Sequence, residues 1–158
     1  ARGVTLIELL DEIYLDPAVG LFVNHYEPDP RYGAYRGVEG FSKKLTILEN
    51  AIALFERVGR GERVLIGGVP VSAAEQYQTG KYDELHNWKG FPDEGIRFWL
   101  GDQMNWLILR PSGTAQALRF HVQLHAPRVT RDSIVREKQR LRELARAVVA
   151  ELRHEVGA

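Results

Sequence analysis

Leu118, Phe120, Val122 and Leu124 alternate without a break with Arg119, His121, Gln123 and His125. Successive side chains of an extended chain point to opposite faces, so this period of two predicts a half-buried strand with one apolar and one polar side. Two more strands precede it at close spacing. Ile96, Phe98 and Leu100 alternate with Arg97 and Trp99, and Trp106 to Leu109 is continuously apolar, as a buried strand can be. Gly101-Asp102 predicts a hairpin between the first two, and Pro111-Ser112-Gly113-Thr114 a turn between the second and third. Earlier in the chain, Gly20 to Tyr26 and Val64 to Val71 also read as strands, the latter broken by Gly67-Gly68.

Helical spacing marks three other segments. Leu6, Leu9, Leu10 and Ile13 lie on one side of a short helix from Thr5 to Tyr14, which opens on a T-x-x-E capping pattern and stops at Asp16-Pro17. Ser42 is expected to cap a second helix with the stripe Leu45, Leu48, Ile52 and Phe55, ended by Gly59 and Gly61. Thr130 or Asp132 is expected to start a last helix, with Ile134, Leu141, Leu144, Val148 and Leu152 on one face. Its other face carries Arg136, Lys138, Arg140, Arg142 and Arg146 among Glu137, Glu143 and Glu151, the pattern of a solvated, ion-paired surface. Residues 27–40 and 74–92 read as irregular connections. The resulting order, a lead helix and then β-α-β-β-β-β-α, predicts an α+β fold: a mainly antiparallel sheet with the two longer helices packed on one face.

Composition narrows the function classes. The 158 residues suit one domain with at most a fragment of another. Lys plus Arg equals Asp plus Glu at 21 each, so no bulk attraction to nucleic acid or an anionic membrane is implied. With no cysteine there is no disulfide, thiolate metal site or cysteine nucleophile, which fits a cytoplasmic protein. No apolar run reaches the roughly 18 residues of a membrane span. The opening residues, interrupted by Glu8, Asp11 and Glu12, do not form a signal peptide, and a chain that opens directly on a helix reads as part of a longer polypeptide. His25, Glu27, His121 and His125 match no zinc spacing and are expected to be ordinary exposed or hydrogen-bonded groups. Trp88, Trp99 and Trp106 can stack a ring ligand but are expected in core or hairpin packing.

The chemistry concentrates where the strand from Trp106 meets Arg110-Pro111-Ser112-Gly113-Thr114. Such a turn can aim backbone N–H groups at one point, Gly113 permits close approach, Ser112 and Thr114 add neutral donors, and Arg110 adds a charged fork suited to phosphate oxygens. Arg119, on the next strand, can face the same anion. The same residues also make an ordinary hairpin turn.

In order and placement this segment resembles the C-terminal phosphate-binding loop of the α-D-phosphohexomutases, the phosphoglucomutases and phosphomannomutases, which commonly reads R-P-S-G-T-E-P-K before a strand. Residues 5–14 resemble the last helix of that family's third domain, and Tyr77-Gln-Thr-Gly-Lys-Tyr-Asp83 resembles a segment of its phosphopentomutase-containing branch. Ala115-Gln116-Ala117 departs from the family's Glu-Pro-Lys, losing a carboxylate, a rigid proline and a cation. The resemblance implies that residues 1–18 end a third mutase domain and that residues 19–158 form the fourth, with a TATA-box-binding-protein-like sheet. It implies phosphate binding by Arg110, Ser112, Gly113, Thr114 and Arg119. It also implies a parent enzyme that interconverts hexose 1- and 6-phosphates with Mg²⁺ and a hexose bisphosphate. The expected partners are a sugar phosphate and the remaining mutase domains, with neither nucleic acid nor membrane. The family's serine loop, metal loop and sugar loop are missing from these residues, so the chain alone is expected not to catalyse the reaction and to bind no cofactor. The other readings are a stand-alone phosphate- or nucleotide-binding module, and an interaction or RNA-binding domain using its sheet or helices.

Overall fold

A computed structural model describes residues 3–28, 35–78, 92, 94–112 and 117–158. The elements are α1 (Leu6–Leu15), β1 (Leu21–Pro28), α2 (Gly37–Gly59), β2 (Leu65–Ile66), β3 (Val69–Tyr77), β4 (Gly95–Leu100), β5 (Trp106–Pro111), β6 (Leu118–Ala126) and α3 (Ile134–Val156). The strands run β1-β6-β5-β4-β3-β2 across one sheet, with every neighbouring pair antiparallel. This is the expected α+β class with one more strand than the sequence suggests. Gly67 and Gly68 do not interrupt a strand; both have positive φ and form the turn of the β2–β3 hairpin. They also bind the turn to α3, because both N–H groups donate to the Glu151 carboxylate. Residues 74–77 belong to β3 and pair with β4, so the irregular connection expected from residue 74 begins later. Residues 79–91, with Trp88, lie outside the described set.

Alternation decides which side of the sheet is dry. Leu118, Phe120, Val122 and Leu124 of β6, Leu107 and Leu109 of β5, and Ile96, Phe98 and Leu100 of β4 are all buried. Over them lie Ile47, Leu48, Ala51 and Leu54 of α2, and Leu141, Ala145, Val148, Val149 and Leu152 of α3. Fully burying each large aliphatic or aromatic side chain contributes roughly 1.5–3 kcal/mol before conformational entropy is set against it. The buried stripe of α2 is rotated from the expected one: Leu48 is shared, but Leu45, Ile52 and Phe55 sit at its margin. The helix also begins at Gly37, so Ser42 is inside it rather than capping it, and its carbonyl accepts from the Thr46 hydroxyl. Likewise α3 starts at Ile134 with Ser133 at the N-cap, so neither Thr130 nor Asp132 is the first residue. Thr130 instead donates its N–H to the Ser133 hydroxyl in the preceding turn.

α1 reaches this core at its C-terminal end, where the partly buried Tyr14 and Leu15 pack against it, and leaves the rest of its apolar side open. Its capping box forms as the sequence predicts: the Thr5 N–H donates to Glu8, and Glu8 N–H donates to the Thr5 hydroxyl. The Thr5 N–H and hydroxyl, both donating to the Glu8 carboxylate, hold this exposed carboxyl below its ordinary range. No residue of α1 is buried, and Leu6 and Ile7 are 79% and 70% exposed. Polar groups tether it: Glu12 pairs with Arg131 at 2.7 Å and Asp11 with Lys138. None of the described helices is long and apolar enough to cross a membrane.

One cation lies inside the core. Lys44 of α2 is 1% exposed, and burial pulls its ammonium down to about 8. The unfolded chain, with an ordinary lysine near 10.5, therefore binds more protons than the folded one between these values. Stability should rise as pH is raised through that window, by at most about 1.4 kcal/mol per pH unit. Urea denaturation from pH 7.5 to 10 should show this rise, and Lys44→Met should flatten it; parallel profiles for the two proteins would exclude Lys44 as the cause.

Candidate anion-binding site

The side of the sheet away from the helices carries the other half of each alternating strand. On it, the β5–β6 register sets Arg110 directly opposite Arg119. Like charges facing each other across a strand pair are destabilising, so this end of the sheet favours an anion. Arg119 has no ion-pair partner among the described residues, and on its other side it faces the Pro28 backbone of β1.

Glu94 supplies one negative charge. Its carboxylate accepts from Arg110 Nη2, the two oxygens lying 2.9 and 3.0 Å away. A tight turn delivers it: Glu94 N–H donates to the Tyr77 carbonyl and Gly95 N–H to the Pro92 carbonyl. Gly95 is required there. Its φ is +97°, and a Cβ on it would stand 2.3 Å from the Leu109 carbonyl oxygen and 3.0 Å from the Arg110 Cα. Only a residue without a side chain brings the start of β4 this close to β5 beside Arg110.

Ser112 lies at the mouth of the loop and is buried. Its N–H donates to the Ala117 carbonyl at 3.0 Å, which continues the β5–β6 ladder by one rung. That N–H therefore closes the loop base, whereas the sequence suggested that the N–H groups of this turn point together at an anion. Gly113 and Thr114 lie outside the described residues. The structure thus sets Arg110 and Arg119 opposite each other, places Ser112 at the loop base, and adds Glu94. Sequence reasoning missed Glu94. Its signal was an acid directly before the glycine that opens a strand destined to pair with β5.

Beyond the arginine pair the open face is lined by rings. Arg97 lies 4.5 Å from the Tyr77 ring centroid, 5.1 Å from Trp99 and 4.9 Å from Trp106. Trp99 and Trp106 face each other across β4 and β5, so they pack on the hairpin surface and not in the core. His121 sits edge-on to both Trp106 and Tyr26, and burial, with some contribution from His25, holds its pKa below the ordinary value. His25 and Glu27 are 3.3 Å apart on the helix side, where Glu27 also pairs with Arg153. Among the described residues no three His, Asp or Glu side chains converge as a metal site would require. A concavity of about 550 Å³ bordered by Ser72, Glu75, Trp99 and Asp102 lies toward the other end of β4. Its carboxylates suit it poorly to an anion.

Comparison with known protein families and with curated proteins finds no match.

Gly95→Ala should cost about 1–3 kcal/mol, since it forces a side chain into a left-handed position against backbone. It should also separate Glu94 from Arg110. Denaturant titration reads the first effect and the Arg110 side-chain NMR resonances the second; an unchanged midpoint would show that β4 does not need this close approach.

Proposed function

We propose that this chain is the C-terminal phosphate-binding domain of a phosphohexomutase, holding the non-reacting phosphate of a sugar phosphate. The observation that supports this most is the pairing of Arg110 and Arg119 on one sheet face at the mouth of the Arg-Pro-Ser-Gly-Thr turn. Two planar, permanently charged forks suit the several oxygens of a phosphate dianion. The catalytic serine and the Mg²⁺ loop then belong to other parts of the parent enzyme, which interconverts hexose 1- and 6-phosphates. Binding energy from a remote phosphate orients the sugar there and helps close the cleft. The solvent-facing apolar side of α1 supports its assignment to a preceding domain, with the boundary near residue 18. The ring-lined face favours a nucleic-acid-binding sheet instead. However, its central rings are occupied by Arg97, and equal numbers of acidic and basic residues supply no general attraction to a polyanion.

Charge-assisted hydrogen bonds contribute roughly 1.5–3 kcal/mol each, so two guanidinium contacts set against desolvation give about millimolar affinity. Titration of inorganic phosphate or glucose 6-phosphate, followed by amide NMR shifts, should move residues 110–119 at that concentration. Arg110→Ala should weaken binding about tenfold or more while leaving the spectrum dispersed. Shifts that avoid residues 110–119, or equal binding by Arg110→Ala, would end this reading.

A further inference from the structure

Arg110 is already engaged: one nitrogen of its guanidinium, Nη2, lies against both oxygens of the Glu94 carboxylate. A phosphate arriving between Arg110 and Arg119 meets a fixed negative charge beside it. We propose that Glu94 is an internal counter-anion, holding Arg110 while the site is empty and yielding the guanidinium to the phosphate when it is filled. The inference rests on the phosphate reading above and adds the residue that sets how tightly the site binds.

Two effects of Glu94 oppose each other. As an anchor it orients the Arg110 fork, which favours binding by reducing the conformational freedom lost on contact. As an anion it repels the ligand and must surrender its own ion pair. A dianion interacts with a nearby unit charge twice as strongly as a monoanion does, whereas orienting one partly exposed side chain is a small gain. Arg110 and Glu94 are both about one-third exposed, so water can replace either partner as the pair opens. Repulsion therefore outweighs anchoring, and the pair acts as a brake on binding. It also explains why Gly95 presses the start of β4 onto β5: the close approach keeps the carboxylate in reach of the arginine.

The experiment compares Glu94→Gln with the unmodified protein. Glutamine keeps the shape and a hydrogen-bond acceptor but removes the charge. Inorganic phosphate, titrated at constant ionic strength and followed by amide shifts at residues 110–119, should bind the variant about three- to fivefold more tightly. Equal or weaker binding would overturn the proposal and make Glu94 a bystander or an anchor. In the unmodified protein the Glu94 side-chain carboxyl ¹³C resonance should move as phosphate saturates the site; a resonance that stays fixed would overturn it as well. If neither protein binds phosphate through residues 110–119, the phosphate reading itself fails, an outcome distinct from binding that ignores Glu94.

Discussion

The register between β5 and β6 ties the core to the site. Side chains alternate along each strand, so the pairing that sends Leu107, Leu109, Leu118, Phe120 and Val122 under the helices also sets Arg110 opposite Arg119 on the open face. A slip of one strand by a single residue would turn its whole apolar set outward and bring its charged residues to the core. The hydrophobic effect therefore positions the arginines. Their mutual repulsion is small beside the burial of five large apolar side chains, and the core holds them together against it.

The rest of the open face follows from that compression. Glu94 relieves one of the two charges, and Gly95 lets it come close enough to do so. Arg97, one strand further along, is treated differently: it faces Glu75 across β3 and β4 and is surrounded by the Tyr77, Trp99 and Trp106 rings. The face thus has a closed, ring-covered cation at its middle and an open, incompletely neutralised pair at one end. That contrast is the ground for proposing Arg110 and Arg119, rather than Arg97, as the anion site.

Much of this fold was legible because β6 and β4 alternate cleanly and because α1 announces its start with Thr5 and Glu8. The β2–β3 hairpin was not, since two strands joined by Gly67-Gly68 look like one interrupted strand until α3 is seen to hold the turn through Glu151. The start of α2 was misplaced because Ser42 is a good cap by type, yet the helix begins at Gly37 and the Arg36 side chain at its N-cap makes no capping bond. Its buried stripe was misjudged because a lysine, Lys44, occupies an interior position that apolar periodicity cannot register. That Arg110 and Arg119 lie near each other was legible from the hairpin order of β5 and β6. Glu94 was passed over although the β4–β5 hairpin was expected, because its contact with Arg110 depends on the close backbone approach at Gly95, which residue type and order do not reveal.

The proposal that Arg110 and Arg119 together form an anion site is tested most directly by stability measured with and without the anion. A ligand that binds only the folded state raises stability by RT ln(1 + L/Kd), where L is its free concentration. Denaturant midpoints should be measured for the unmodified protein and for Arg119→Leu, in phosphate and in chloride at equal ionic strength. Phosphate should raise the midpoint of the unmodified protein and leave that of Arg119→Leu nearly where chloride puts it. An equal rise in both proteins would mean that phosphate acts elsewhere or through general salt effects, and that the facing arginines do not form its site.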